Sequence, residues 1–166
     1  DEAVNTYHGT KNITVQWCLI SESLHDSPLQ KGHGYAASLG GANSSYHHNL
    51  FANNAGRNPS IAGETSAPTI NLDFRNNVIF NWQKRRLDGR PESINVVNNY
   101  YKAGPASHEL LSVVKMQCLD TGSFGKWHVD GNLLETRLGI KRGNDLVTID
   151  DRERTVASVL VERPVQ

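Results

Sequence analysis

NLDFRNNVIFNW, residues 71–82, reads as two short strands hinged on a pair of asparagines. Leu72 and Phe74 alternate with polar residues and so share one face of a strand, and a second apolar run begins at Val78. The same plan recurs along the chain: NITVQWCLIS (12–21), SSYHHNLFANN (44–54), SINVVNNYYK (93–102) and GKWHVDGNLLE (125–135). Aligning Cys18, Asn49, Asn77, Asn99 and Asn132 gives an irregular period of roughly 20 to 35 residues, the range of stacked repeats. One such unit has too little apolar area to make a core, but a stack of them does. Equivalent residues would then lie about 4.8 Å apart in successive coils, and the aligned asparagines would hydrogen-bond along the stack as a ladder. Ile13 with Val15, Leu72 with Phe74 and Ile94 with Val96 are the expected in-facing columns.

These features predict an all-β chain folded as a parallel β-helix. An antiparallel sandwich is the alternative, although the tight Asn-Gly turns it favours are scarce. Helical periodicity is weak. The basic stretch QKRRLDGRPE (83–92) reads as a solvated loop, and residues 150–161 as a short helix or a closing strand.

The chain has 166 residues, enough for one domain with a real core. Its 17 basic and 17 acidic residues give zero formal charge, so no global field draws it toward nucleic acid or an anionic membrane. No apolar run approaches the roughly 18 residues of a membrane span. Cys18 and Cys118 allow one bridge at most and no thiolate metal site. The histidines lack metal-ligand spacing. His47 and His48 are expected on opposite faces of a strand, and Trp17, Trp82 and Trp127 as packing residues.

The order NITVQWCLISESL, KGHGY, LGG, SSYHHNLFANNAGRNP, LDFRNNVIFNW and INVVNNYYKAGP closely resembles the pectate lyases of polysaccharide lyase family 1, above all the branch with the bacterial pectate trisaccharide-lyases. The resemblance runs from Asp1 to about Pro105. It implies a right-handed parallel β-helix with an asparagine ladder, in which residues 1–105 carry the catalytic motifs and 106–166 form the last coil and closing segment of the same domain. Members of the family are longer. The resemblance therefore implies the later portion of a lyase, incomplete at its N-terminal end, with the Val4, Ile13 and Val15 layer covered by a missing N-terminal piece or a second chain. It also implies a secreted enzyme of pectin degradation, although this sequence contains no signal peptide.

A lyase of this kind removes the C5 proton of a uronate, alpha to a carboxylate, and expels the glycosidic oxygen at C4. The carboxylate must be neutralised and a base must be placed near C5. The resemblance implies calcium for the first task, with Asp1 and Asn5 of DEAVN at two ligand positions; Asn5 stands where a carboxylate is more usual, so weaker binding is expected. It assigns proton abstraction to Arg57 of the RNP motif, followed by Pro59, although arginine stays protonated at ordinary pH. It places Lys31 as a substrate-binding lysine. The family's second arginine is absent from Ser60-Ile61-Ala62, with Arg75 or the Lys84-Arg85-Arg86 stretch as substitutes. The expected function is calcium-dependent β-elimination of polygalacturonate. The rival is a non-catalytic β-helix module that binds acidic polysaccharide or completes another chain.

Overall fold

The computed structural model describes residues 2–7, 9–108, 112–150 and 155–166. Five coils follow one another. The first is β1 (Glu2–Thr6), β2 (Thr14–Gln16) and β3 (Leu19–Ser21); the second β4 (Tyr35–Leu39), β5 (Ala42–His47) and β6 (Leu50–Ala52). The third is β7 (Ser60–Ile61), β8 (Ile70–Arg75) and β9 (Val78–Phe80); the fourth β10 (Leu87–Gly89), β11 (Ser93–Val97) and β12 (Tyr100–Lys102). The fifth is β13 (Val114–Met116), β14 (Lys126–Asp130) and β15 (Leu133–Thr136), after which come β16 (Gly139–Arg142) and β17 (Val147–Ile149).

Every third strand pairs with its counterpart in the next coil. Three sheets result, in the orders β1-β4-β7-β10-β13-β17, β2-β5-β8-β11-β14 and β3-β6-β9-β12-β15-β16. All named pairings are parallel except the β15–β16 hairpin. The fold is a parallel β-helix, and the sandwich alternative falls because its sheets would be antiparallel.

The core is built of columns in register. Val15, Tyr46, Phe74, Val96 and Val129 succeed one another along the second sheet, and Ile20, Phe51, Ile79, Tyr101 and Leu134 along the third. Leu72, Phe74, Ile94 and Val96 are fully buried, as their alternation requires. β1, β2 and β3 stand at one edge of their sheets, where Val4, Ile13 and Val15 are only partly buried.

The asparagine ladder joins the expected residues. Asn49 Nδ2 donates to Asn77 Oδ1 at 3.1 Å, Asn77 Nδ2 to Asn99 Oδ1 at 3.0 Å, and Asn99 Nδ2 to Asn132 Oδ1 at 3.0 Å. The backbone N–H of Cys18 closes the row on Asn49 Oδ1 at 3.0 Å. Each amide also donates to a backbone carbonyl one strand back, Asn77 to Tyr46 at 2.9 Å for example. The ladder tolerates unequal steps of 31, 28, 22 and 33 residues because it fixes only one corner of each coil. At that corner the preceding residue, Trp17, His48, Asn76, Asn98 or Gly131, lies in the left-handed region with φ between 53° and 63°. Asparagine bears that conformation better than most residues. Gly131 has no alternative, since a Cβ there would lie 1.9 Å from Asn98 Oδ1.

Several expectations need correction. Residues 83–92 are not a solvated loop: Leu87–Gly89 is β10 of the first sheet, and Arg86 is buried. β17 ends at Ile149, and residues 150–161 contain a 3-10 turn at Val156–Ser158 among the described residues; beyond them the chain packs on the second sheet, where Val165 and Asn95 exchange hydrogen bonds of 2.8 and 3.1 Å. His47 and His48 do not point apart, because the left-handed turn at His48 brings their Nδ1 atoms within 2.8 Å at the surface. Trp82 and Trp127 are core residues, whereas Trp17 is 74% exposed and stacks on His48. Both cysteines are free. Among the described residues no helix is long and apolar enough to cross a membrane.

Candidate functional site

The turn carrying Arg57 is tied to its neighbours by backbone. Ala37 N donates to Arg57 O at 3.0 Å, and the buried Asn58 donates through Nδ2 to Arg85 O at 2.9 Å and through its backbone to Arg86 O at 3.2 Å. Arg57 itself has φ 51°, in the left-handed region, so this turn holds a bulky residue in a conformation it adopts only under constraint. Its guanidinium lies over the Tyr35 ring, with Cζ 4.1 Å from the centroid, and Nη1 pairs with the carboxylate of Glu2. Nε is buried with no hydrogen-bond partner. Burial holds the Arg57 pKa below its ordinary value, the nearby Arg85 charge adds to that effect, and Asp88 opposes it.

Arg57 opens onto a groove of about 540 Å³ along the first sheet. Ser38 and Ser60 on its floor belong to a polar column of the first sheet: Asn5, Ser38, Ser60, Asp88, Lys115 and Thr148 are partners in register on six successive strands. Strand alternation generates the column, since Leu39, Ile61 and Met116 one position later are buried. Arg85 and Arg90 also line the groove. Arg85 grips Asp88 with Nε at 2.6 Å and Nη2 at 2.9 Å, and Asp88 in turn accepts from Ser60 Oγ at 2.7 Å. Arg90 reaches Asp120 at 3.4 Å, with both side chains largely solvated. Tyr7 lines the groove and donates to Glu64, which raises the tyrosine pKa.

The groove thus presents three arginines, each paired with a carboxylate, together with Asp150. A probable pectate lyase C of Aspergillus flavus is 28% identical over 179 aligned residues, covering 96% of this chain. The chain is similar to a pectate lyase. It spans 38% of that protein's length. No protein-family model matches the chain.

The pectate-lyase likeness sets the expected site residues side by side with the geometry. Arg57 stands in the groove. Asn5 is exposed on β1, in register with Ser38 of the groove, and its Oδ1 accepts the Tyr7 N–H at 3.1 Å. Asp1 lies outside the described residues. A neutral amide oxygen suits a hard cation in kind, but calcium takes about six to eight oxygens, and no group of three His, Cys, Asp or Glu among the described residues is placed to hold a metal. Lys31 is exposed on the loop after β3, bridged to Asp26, and does not line the groove. Of the substitutes for the missing arginine, Arg85 reaches the groove, Arg75 is held by Asp73 on the second sheet, and Arg86 is buried elsewhere.

Sequence reasoning missed Glu2 and Tyr35 as the two side chains that grip Arg57. Tyr35 carried a signal, as the end of KGHGY directly before an apolar run. Glu2 carried none, because its contact spans 55 residues.

Proposed function

We propose that this chain carries the proton-abstracting part of a pectate lyase that cleaves polygalacturonate by β-elimination. The observation that carries the reading is Arg57, held at the mouth of a cationic groove by Tyr35 and Glu2, with a guanidinium whose hold on its proton is weakened by burial. Neutral Arg57 takes the C5 proton; the electron pair left behind forms the C4–C5 double bond as the bond from C4 to the glycosidic oxygen breaks. The departing oxygen is protonated by water. Arg85 and Arg90 supply fixed positive charge along the groove, which favours an anionic polymer over a neutral one. Calcium, held by Asp1 and Asn5 together with substrate carboxylates, would neutralise the uronate and make its C5 proton more acidic. Lys31 contacts the polymer from the loop beside Glu2. The lyase acts outside the cell.

Product chemistry tests this directly. Incubation with polygalacturonate, with calcium or with chelator, is expected to give unsaturated uronide ends, detected by their ultraviolet absorbance, more slowly under chelation. New reducing ends without that absorbance would mean hydrolysis and would end the proposal.

One observation favours the non-catalytic rival. Arg57 is paired with Glu2, and no second arginine follows Pro59, so a module that only binds acidic polysaccharide would have the same groove. Retention on immobilised polygalacturonate with no product distinguishes it.

A further inference from the structure

The three arginines of the groove are not equally free. Arg57 lies on Tyr35 and pairs with Glu2. Arg85 has its Nε–Nη2 edge filled by Asp88, at 2.6 and 2.9 Å. Asp150, which also lines the groove, is taken by Lys115 at 3.1 Å. Arg90 differs. Among the described residues its guanidinium has one hydrogen bond, from Nη1 to Asp120 Oδ1 at 3.4 Å, and the two side chains are 42% and 60% exposed. A contact that long between solvated groups is worth little, so Asp120 is a weak holder of the guanidinium. A carboxylate that offers both oxygens to the fork is the better partner.

The backbone makes room for such an exchange. Arg90 N donates to Ile61 O at 3.2 Å, which fixes the residue one step past the Gly89–Ile61 pairing. A Cβ on Gly63 would lie 1.7 Å from Arg90 O and 3.4 Å from Arg90 Cγ, so the bare glycine lets the two coils close up and the arginine stem run beside it. Ala62 and Gly63 line the groove with Arg90, whereas Asp120 lies on the segment between β13 and β14 and does not. Arg57 precedes β7 and Arg90 is level with its far end, so the two arginines stand at different places along the groove.

We propose that Arg90 makes the groove select a free uronate over its methyl ester, by exchanging Asp120 for the carboxylate of a sugar ring other than the one deprotonated at Arg57. A methyl ester carries no charge and cannot bridge the fork with two anionic oxygens. The inference rests on the reading of the groove as a site for acidic polysaccharide.

Affinity electrophoresis in gels containing polygalacturonate or highly methyl-esterified pectin, with steady-state kinetics on the same two polymers, tests it. Arg90→Gln is expected to weaken retention by polygalacturonate about tenfold, to raise KM with little change in kcat, and to bring the affinities for the two polymers close together. Asp120→Asn removes the competitor. It should tighten polygalacturonate binding about threefold in the wild-type background and leave it unchanged in Arg90→Gln. An undiminished preference for polygalacturonate in Arg90→Gln overturns the proposal. So does a gain from Asp120→Asn that survives in Arg90→Gln, since that is a general field effect rather than an exchange. Retention that depends on Arg90 with no unsaturated product leaves this selectivity standing and ends the lyase reading alone. Unsaturated product formed with the same KM and the same ester preference by wild type and Arg90→Gln ends this inference alone.

Discussion

Tyr35 and Glu2, the two residues that grip Arg57, are register partners on adjacent strands β1 and β4. Tyr35 offers its ring face at 4.1 Å and Glu2 its carboxylate. Tyr35 also forms a backbone bridge with Gly56, next to Arg57 itself. One guanidinium is therefore held by three consecutive coils, and its orientation depends on their stacking.

If the ring positions the guanidinium, Tyr35→Ala should lower kcat on polygalacturonate by about tenfold with a smaller change in KM, the scale of a partly desolvated cation–π contact. Tyr35→Phe should stay near wild type. Steady-state kinetics on the two variants checks this, since a merely structural tyrosine would not distinguish ring from hydroxyl.

The pH profile follows from charge. Proton abstraction needs neutral Arg57, so the rate should climb with pH in the alkaline range. Burial lowers the Arg57 pKa and so moves that climb to lower pH than an ordinary arginine would give. The Glu2 carboxylate favours the protonated guanidinium. Glu2→Gln removes that preference, lowers the Arg57 pKa further, and should shift the rising limb of kcat/KM toward neutrality. A shift in the opposite direction would mean that Glu2 activates Arg57 by some other route.

Asn77 tests the ladder. Asn77→Ala removes the acceptor of the Asn49 N–H at 3.0 Å and the donor to Tyr46 O at 2.9 Å, leaving both buried backbone groups unpaired. The expected loss is about 3 kcal/mol in urea unfolding, from about 1–3 kcal/mol for each orphaned group. Asn81→Ala, which gives up exposed hydrogen bonds to Asn53 Oδ1 and from Ala106 N at a left-handed turn, should cost less, because the groups it leaves are open to water.

The ladder was legible in the sequence because it repeats: five residues at one corner, each before a short apolar run, need no knowledge of distant contacts. The inward columns were legible for the same reason. β10 was hidden because Leu87-Asp88-Gly89 follows three cations, and its pairing with Ser60 and Ile61 comes from coil stacking rather than from its own pattern. The polar column from Asn5 to Thr148 escaped notice because each strand contributes a single residue to it. Arg57 was singled out by the RNP motif. Its partners are local in space and remote in sequence, and no periodicity reports such contacts.

Turnover by Arg57→Lys bears most directly on the account. The variant keeps a positive charge in the groove but loses the guanidinium that lies on Tyr35 and pairs with Glu2. Release of unsaturated uronide from polygalacturonate, followed by ultraviolet absorbance at alkaline pH, should fall by about a thousandfold, in the range of losing a positioned base, while retention on immobilised polymer changes little. Wild-type turnover by Arg57→Lys would make Arg57 an ordinary surface cation and contradict the reading of the groove.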